Sequence, residues 1–185
     1  MAEKAVLMSI HKNWLDKILS GEKILEIRGN YPKSAYLPFQ VYLYETRNGG
    51  GCGRIRAIAL CTNLFRFSKN DLESNEGDAF LKASCLTREQ LTPFFSSKNV
   101  VYGWQLSDVQ PLDMALDAVK TSRPPQGWQY CPIPSNYRHL KRRPCSFDLR
   151  HLPFHTKRNI LMAGSRVSSP KTGRLLLRNF RISKR

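Results

Sequence analysis

At Gly21 the periodicity of this 185-residue chain changes. Before it, Trp14, Leu15, Ile18 and Leu19 recur at the spacing of one helical face. After it, residues 22–28 read as a strand, with Leu25 and Ile27 pointing one way and Ile24, Glu26 and Arg28 the other. Glycine suits such a junction because it takes a left-handed backbone at a helix C-terminus without steric cost. An acid and a base two residues apart on one strand face, here Glu26 and Arg28, can pair with each other or face a shared ligand. Lys23 stands at the strand entrance, where its long side chain is expected to reach over the rim.

The remaining pattern to about residue 133 is a series of short elements. Residues 4–10 read as a first strand, with Val6, Met8 and Ile10 alternating. Asn13 has the side chain of a helix N-cap, and the helix is expected to end near Ser20. Pro32 and Pro38 mark residues 29–39 as a loop. Residues 40–47 alternate again, with Val41, Leu43 and Glu45 set against Tyr42, Tyr44 and Thr46. Asn48-Gly49-Gly50-Gly51-Cys52-Gly53 is a flexible hairpin connection. It lacks the Lys-Ser or Lys-Thr and the following helix of a phosphate-binding loop. Residues 54–64 form another strand, with Ile55, Ala57, Ala59 and Cys61 on one face. A transition follows over residues 65–75, then a short helix at 79–83. Thr87 and Gln90 have the spacing of a capping box. It opens a helix anchored by Leu86, Leu91 and Phe94 and limited by Pro93. Residues 100–106 are a strand, and residues 109–118 hold the last core element. Several strands with two or three short helices suggest a small α+β fold.

Four segments in order carry a family resemblance. Met8-Ser9-Ile10-His11-Lys12-Asn13-Trp14, then Ile18-Leu19-Ser20-Gly21-Glu22-Lys23 and Glu26-Ile27-Arg28, resemble the opening of an ASCH domain. ASCH domains are small relatives of the PUA fold whose pattern runs strand, helix, Gly-x-Lys-x-x-Glu-x-Arg. Val41-Tyr42-Leu43-Tyr44-Glu45-Thr46 resembles the family's second core strand. Tyr102-Gly103-Trp104-Gln105-Leu106 and Pro124-Pro125-Gln126-Gly127-Trp128-Gln129-Tyr130 resemble the close of bacterial and phage-type members. Two prolines followed by Gly127 and Trp128 suggest an extended segment whose Trp packs on the body, as a core plug or a stacking surface. The resemblance spans residues 3–133. It implies a PUA-like β-barrel with flanking short helices and a cleft beside the first helix.

The expected ligand-binding residues of that cleft are Lys23, Glu26, Arg28, Tyr102 and Trp104. Lys and Arg complement phosphate, an aromatic ring offers a stacking face, and Glu26 can accept a base N–H. The expected ligand is RNA or a nucleotide. Some ASCH-related proteins are hydrolases: one type deacylates N4-acetylated cytidine, and others cleave RNA. The alternative is therefore a small hydrolase with Lys23 and Glu26 as catalytic groups. In the deacylating type a Thr stands where this chain has Glu26, with a further carboxylate along the chain. Glu73, Glu76 and Glu89 are the nominees here. A third reading is a protein-interaction module.

Charge divides the chain in the same place. Residues 134–185 contain 14 of its 30 basic residues and one of its 14 acids, Asp148. That segment has the composition of a basic, disordered tail. Such a tail contacts polyanions without reading sequence, so the net charge of +16 says little about what the domain recognises. Among the five cysteines and four histidines, Cys131, His139, Cys145, His151 and His155 lie within a short span. No Cys-x2–4-Cys pair accompanies them, so no metal site and no cofactor is expected. His11 is the one histidine before residue 139, which disfavours a Cys-His nucleophile at Cys61 or Cys85. No apolar run reaches the ~20 residues of a membrane span. No membrane partner is expected, and free thiols in a cytoplasmic protein are.

Overall fold

A computed structural model of the chain describes residues 4–95 and 99–134. Strand β1 (Lys4–Ile10) has the predicted bounds and feeds helix α1 (Lys12–Leu19). The helix starts earlier than Asn13 would have it. His11 is the N-cap, with extended backbone and no side-chain cap. Leu15 and Ile18 are buried, while Trp14 and Leu19 pack at the edge of the same core. Gly21 has φ +79 and ends the helix as predicted.

The elements that follow are β2 (Leu25–Arg28), β3 (Phe39–Glu45), β4 (Ile55–Ser68), α2 (Asn75–Ser84), α3 (Arg88–Leu91), β5 (Val100–Met114) and β6 (Trp128–Pro132). They give a mixed α+β fold around a six-stranded sheet in the order β2-β5-β4-β3-β1-β6. The β1–β3 pair is parallel and the other four pairs are antiparallel. The sheet is rolled, because side chains bridge strands far apart in that order. Arg28 of β2 donates from Nη2 to the Ser9 carbonyl of β1 at 2.7 Å. Trp104 of β5 meets Trp128 of β6 with ring centroids 5.6 Å apart.

Rolling creates an inner core and two outer ones. Val6, Met8, Val41, Leu43, Ala57, Ala59 and Trp104 face inward, where α1 closes the core. Their strand neighbours Leu7, Tyr42, Tyr44 and Ile58 form a second cluster on the opposite face. Leu25, Ile27, Phe65, Phe67 and Val101 form a third, covered by Phe80 of α2, Leu91 of α3 and Phe95. The alternation predicted for residues 41–46 thus separates two cores.

Four expectations are corrected here. β4 runs through the residues expected to be a transition, and Phe65 and Phe67 belong to its core face. Register shifts between Ile55 and Ala57 and between Cys61 and Asn63 exchange the faces of β4. Ile55 consequently packs in the second core while Ala57, Ala59 and Cys61 stay in the first. The Thr87–Gln90 capping box forms, and the helix gives way to a 3-10 turn at Thr92–Phe95. In that turn Phe95, rather than Phe94, is the buried anchor. The last core element is β6, which pairs with β1 from Lys4–Pro132 to Met8–Trp128.

Of the cysteines and histidines clustered between residues 131 and 155, only Cys131 lies within the described residues, where it packs in the second core with its thiol pushed up to about 12 by burial. His139, Cys145, His151, His155 and nearly all of the expected basic tail lie outside them. No described helix is long and apolar enough to cross a membrane.

Gly103 makes the third core possible. A Cβ there would stand 2.8 Å from Phe80 Cε2, and Phe80 stacks on Phe67 with centroids 4.2 Å apart. We expect Gly103→Ala to lower stability by about 1–3 kcal/mol through overpacking. Urea unfolding of the full chain measures it, and a change within experimental error would show that the Phe80 ring yields freely.

Candidate functional site

The site forms where the first helix hands over to β2. After Gly21 the chain passes between the end of α1 and the end of α2. The Lys23 N–H donates to the Lys17 carbonyl at 2.9 Å, and the Ile24 N–H to the Ala83 carbonyl at 3.1 Å. These bonds shorten the strand to Leu25–Arg28 from the predicted residues 22–28. Ile24 is accordingly not on the polar face with Glu26 and Arg28; it packs against the third core.

Lys23 is not a rim residue. Its side chain is 2% exposed. Nζ donates to the Ser84 carbonyl at 2.5 Å, lies 3.5 Å from Glu26 Oε2 and stands 5.3 Å from the centroid of the Trp14 ring. Burial lowers the pKa of this amine below the ordinary lysine value of 10.5, against the opposing pull of Glu26. Glu26 is shared: its Oε1 accepts from Arg28 Nη2 at 3.0 Å. Arg28 in turn makes the bond to Ser9 described above, and its buried Nε has no hydrogen-bond partner.

Lys23, Glu26 and Arg28 thus form one row of alternating charge at the side of a cleft of about 230 Å3. His11, Trp14, Thr46, Leu86, Phe94 and Gln126 are among its other lining residues. His11 Nδ1 lies 3.2 Å from Thr46 Oγ1. Phe94 leaves the cleft a large apolar surface, being 43% exposed.

The two expected aromatics sit elsewhere. Trp104 pairs with Glu26 across the β2–β5 ladder, but it is fully enclosed in the inner core against Phe39 and Trp128. Tyr102 is opposite Arg28 and packs on Tyr31, with centroids 4.8 Å apart. Neither lines the cleft. The aromatic surface there comes from Trp14 and Phe94 instead. Trp14 was legible as part of the helix face; Phe94 was read as a helix anchor, a place that Phe95 takes instead. Glu73, Glu76 and Glu89 are also absent from the lining, and Glu73 pairs with Arg88 at 3.0 Å. Cys61 is buried, and burial raises its thiol pKa far above the ordinary range. Cys85 donates to the Glu22 carbonyl, and burial likewise raises its pKa. Neither thiol is bonded to His11.

No protein-family profile and no curated protein matches the sequence. Solved structures do match. The crystal structure of ASCH from Zymomonas mobilis superposes with a TM-score of 0.55 over 68% of this chain and 86% of that one, at 22% identity. The fold is that of an ASCH domain. Two single-substitution variants of the same Zymomonas protein agree. A tyrosine-to-phenylalanine form has a TM-score of 0.56 at 21% identity, covering 68% of this chain and 88% of its own. A serine-to-alanine form has a TM-score of 0.57 at 22% identity, covering 70% and 90%. The likeness covers the rolled sheet and its flanking helices; Glu26 and Arg28 of the charge row lie on β2, and Lys23 just before it.

Enclosure of Lys23 changes what its substitution should do. Lys23→Ala is expected to lower stability by about 2–4 kcal/mol, because it opens a cavity and removes a partner of Glu26. Lys23→Met keeps the stem and leaves Glu26 paired with Arg28, so it should recover most of that loss. The pH dependence has a definite sign. A lysine whose pKa is lowered on folding binds fewer protons folded than unfolded, so stability rises as pH climbs through the lowered value toward 10.5. Urea unfolding across that window should show the rise in the wild type and not in Lys23→Met. An Ala variant as stable as the wild type would contradict the enclosed lysine.

Proposed function

We propose that the cleft binds one nucleobase of an RNA or nucleotide, stacked against Phe94 and hydrogen-bonded by Glu26 and Arg28. The observation that carries this reading is that the Glu26–Arg28 pair and the exposed Phe94 ring line one cleft. An acceptor carboxylate and a guanidinium donor in one row match the donor and acceptor atoms on the edge of a base. The exposed ring supplies the stacking term, about 1–3 kcal/mol per base. The cleft volume of about 230 Å3 is smaller than the ~300–1,000 Å3 of sites that enclose drug-sized molecules, which suits one planar ring. The likeness to Zymomonas ASCH supports the fold only. The ligand is argued from the side chains.

One observation favours a second reading, a small hydrolase acting on a modified nucleoside or on RNA. Burial lowers the pKa of Lys23 in a cleft that also holds a carboxylate. An amine that gives up its proton more readily than a free lysine can act as a base. Activity of that kind rises with pH through the lowered value and disappears in Lys23→Met.

Phe94→Ala tests the binding reading without disturbing the core, since the ring is substantially exposed. The 185-residue chain is titrated with the four ribonucleoside monophosphates at moderate salt, following tryptophan fluorescence and product formation together. We expect saturable binding that weakens by about 1–3 kcal/mol in Phe94→Ala with unchanged unfolding. Binding that ignores Phe94 and also survives Glu26→Gln would place the ligand outside this cleft. Product formation would move the hydrolase to first place.

A further inference from the structure

We infer that the ligand of the cleft is a phosphodiester-linked strand rather than a free nucleotide, and that a groove joined to the cleft seats the neighbouring nucleotide. This rests on the base-binding reading above. A second depression of about 1,020 Å3 borders the cleft. Ser9, His11, Thr46 and Gln126 line both cavities, so the two share a wall. The cleft accommodates a base, and the sugar and phosphates attached to it must lie outside. The groove is the large described cavity that adjoins the cleft.

The lining of the groove fits a backbone path. One side is the connection between β3 and β4, with Arg47, Asn48 and Gly53; the other is the connection between β5 and β6, with Asp117, Thr121 and Ser122. Arg54 also lines it but is paired with Asp113 at 2.5 Å. Arg47 is exposed and has no ion pair among the described residues. Gly53, at φ +71, leaves room for it: a Cβ there would stand 2.6 Å from Arg47 Nε. Asp117 is the one acid in the lining, so the groove carries two cations against one anion. An unpaired guanidinium in an open polar groove suits a phosphate, and the hydroxyls of Thr46, Thr121 and Ser122 suit a sugar.

His11 occupies the junction. Its Nδ1 meets Thr46 Oγ1, which leaves Nε2 without a partner among the described residues. A phosphate linking a nucleotide in the cleft to one in the groove would lie beside this imidazole. His11 and Arg47 are therefore positioning residues for the strand, outside the row that reads the base.

The test compares ribonucleoside monophosphates with the corresponding dinucleotides and trinucleotides on the full chain, in the wild type, Arg47→Ala and His11→Ala. Residues 134–185 are present throughout, so their contribution to length dependence is common to all three proteins. We expect a dinucleotide to bind at least ~10-fold tighter than a monophosphate, with that gain reduced several-fold in both variants and the monophosphate affinity unchanged in Arg47→Ala, which lies outside the cleft. Arg47→Ala should also lower the salt slope of dinucleotide binding by about one. A gain from mono- to dinucleotide that is absent in the wild type, or that persists in both variants, would overturn the groove while leaving the cleft reading standing. Failure of every monophosphate and every oligonucleotide to respond to Phe94→Ala would overturn the cleft reading, and this inference with it.

Discussion

Enclosing the Lys23 ammonium is the constraint around which the neighbouring elements are arranged. Removing such a charge from water costs several kcal/mol unless its protons find acceptors and its charge a partner. Three elements supply them. α2 contributes the Ser84 carbonyl, β2 the Glu26 carboxylate and α1 the face of Trp14. The Ser84 carbonyl belongs to the last turn of α2, one of the groups a helix leaves without an internal partner. The preceding carbonyl, that of Ala83, accepts from the Ile24 N–H. The entrance of β2 therefore caps α2 from outside. A cation at that end is favoured by the helix dipole as well as by the hydrogen bond. The lysine that faces the cleft is at the same time the cap of a helix.

Arg28 has a comparable double role. Its bond to the Ser9 carbonyl ties β2 to β1, which stand at positions one and five of the sheet order. Its bond to Glu26 fixes the carboxylate that also meets Lys23. The roll of the sheet and the geometry of the charge row consequently depend on the same guanidinium. A cleft built this way is preorganised, because its polar groups are held by the fold in the absence of any ligand.

What the sequence disclosed is what is determined locally. The helix face around Leu15 and Ile18, the left-handed stop at Gly21 and the capping box at Thr87 each depend on residues within a turn or two, and each could be read directly. The inward and outward faces of β3 were legible because an unbroken strand keeps a period of two. β4 was not, because its register shifts exchange faces twice, and they answer to pairing with β5 roughly 40–60 residues away. Burial of Lys23 was hidden for the same reason: its acceptor is 61 residues further along. The expected set grouped Lys23, Glu26 and Arg28, which the structure sets in one row. It also included Tyr102 and Trp104, neither of which lines that cleft: Trp104 faces the same side of the sheet as Glu26 yet lies deeper, under Phe39 and Trp128. A shared sheet face does not fix depth in a rolled sheet.

The binding and hydrolytic readings differ in one proton. A neutral Lys23 amine still has an N–H for the Ser84 carbonyl, so deprotonation does not uncap α2. What it removes is the Coulomb attraction to Glu26. The carboxylate is then held by Arg28 alone, and Oε2 becomes the acceptor free to meet a water. Protonated, Lys23 holds Oε2 in place and fixes the row as a rigid binding edge. In the binding reading these three side chains act with the proton on Lys23, and in the hydrolytic reading with the proton removed. The lowered pKa of Lys23 brings the exchange between these two states closer to neutral pH than an exposed lysine would allow.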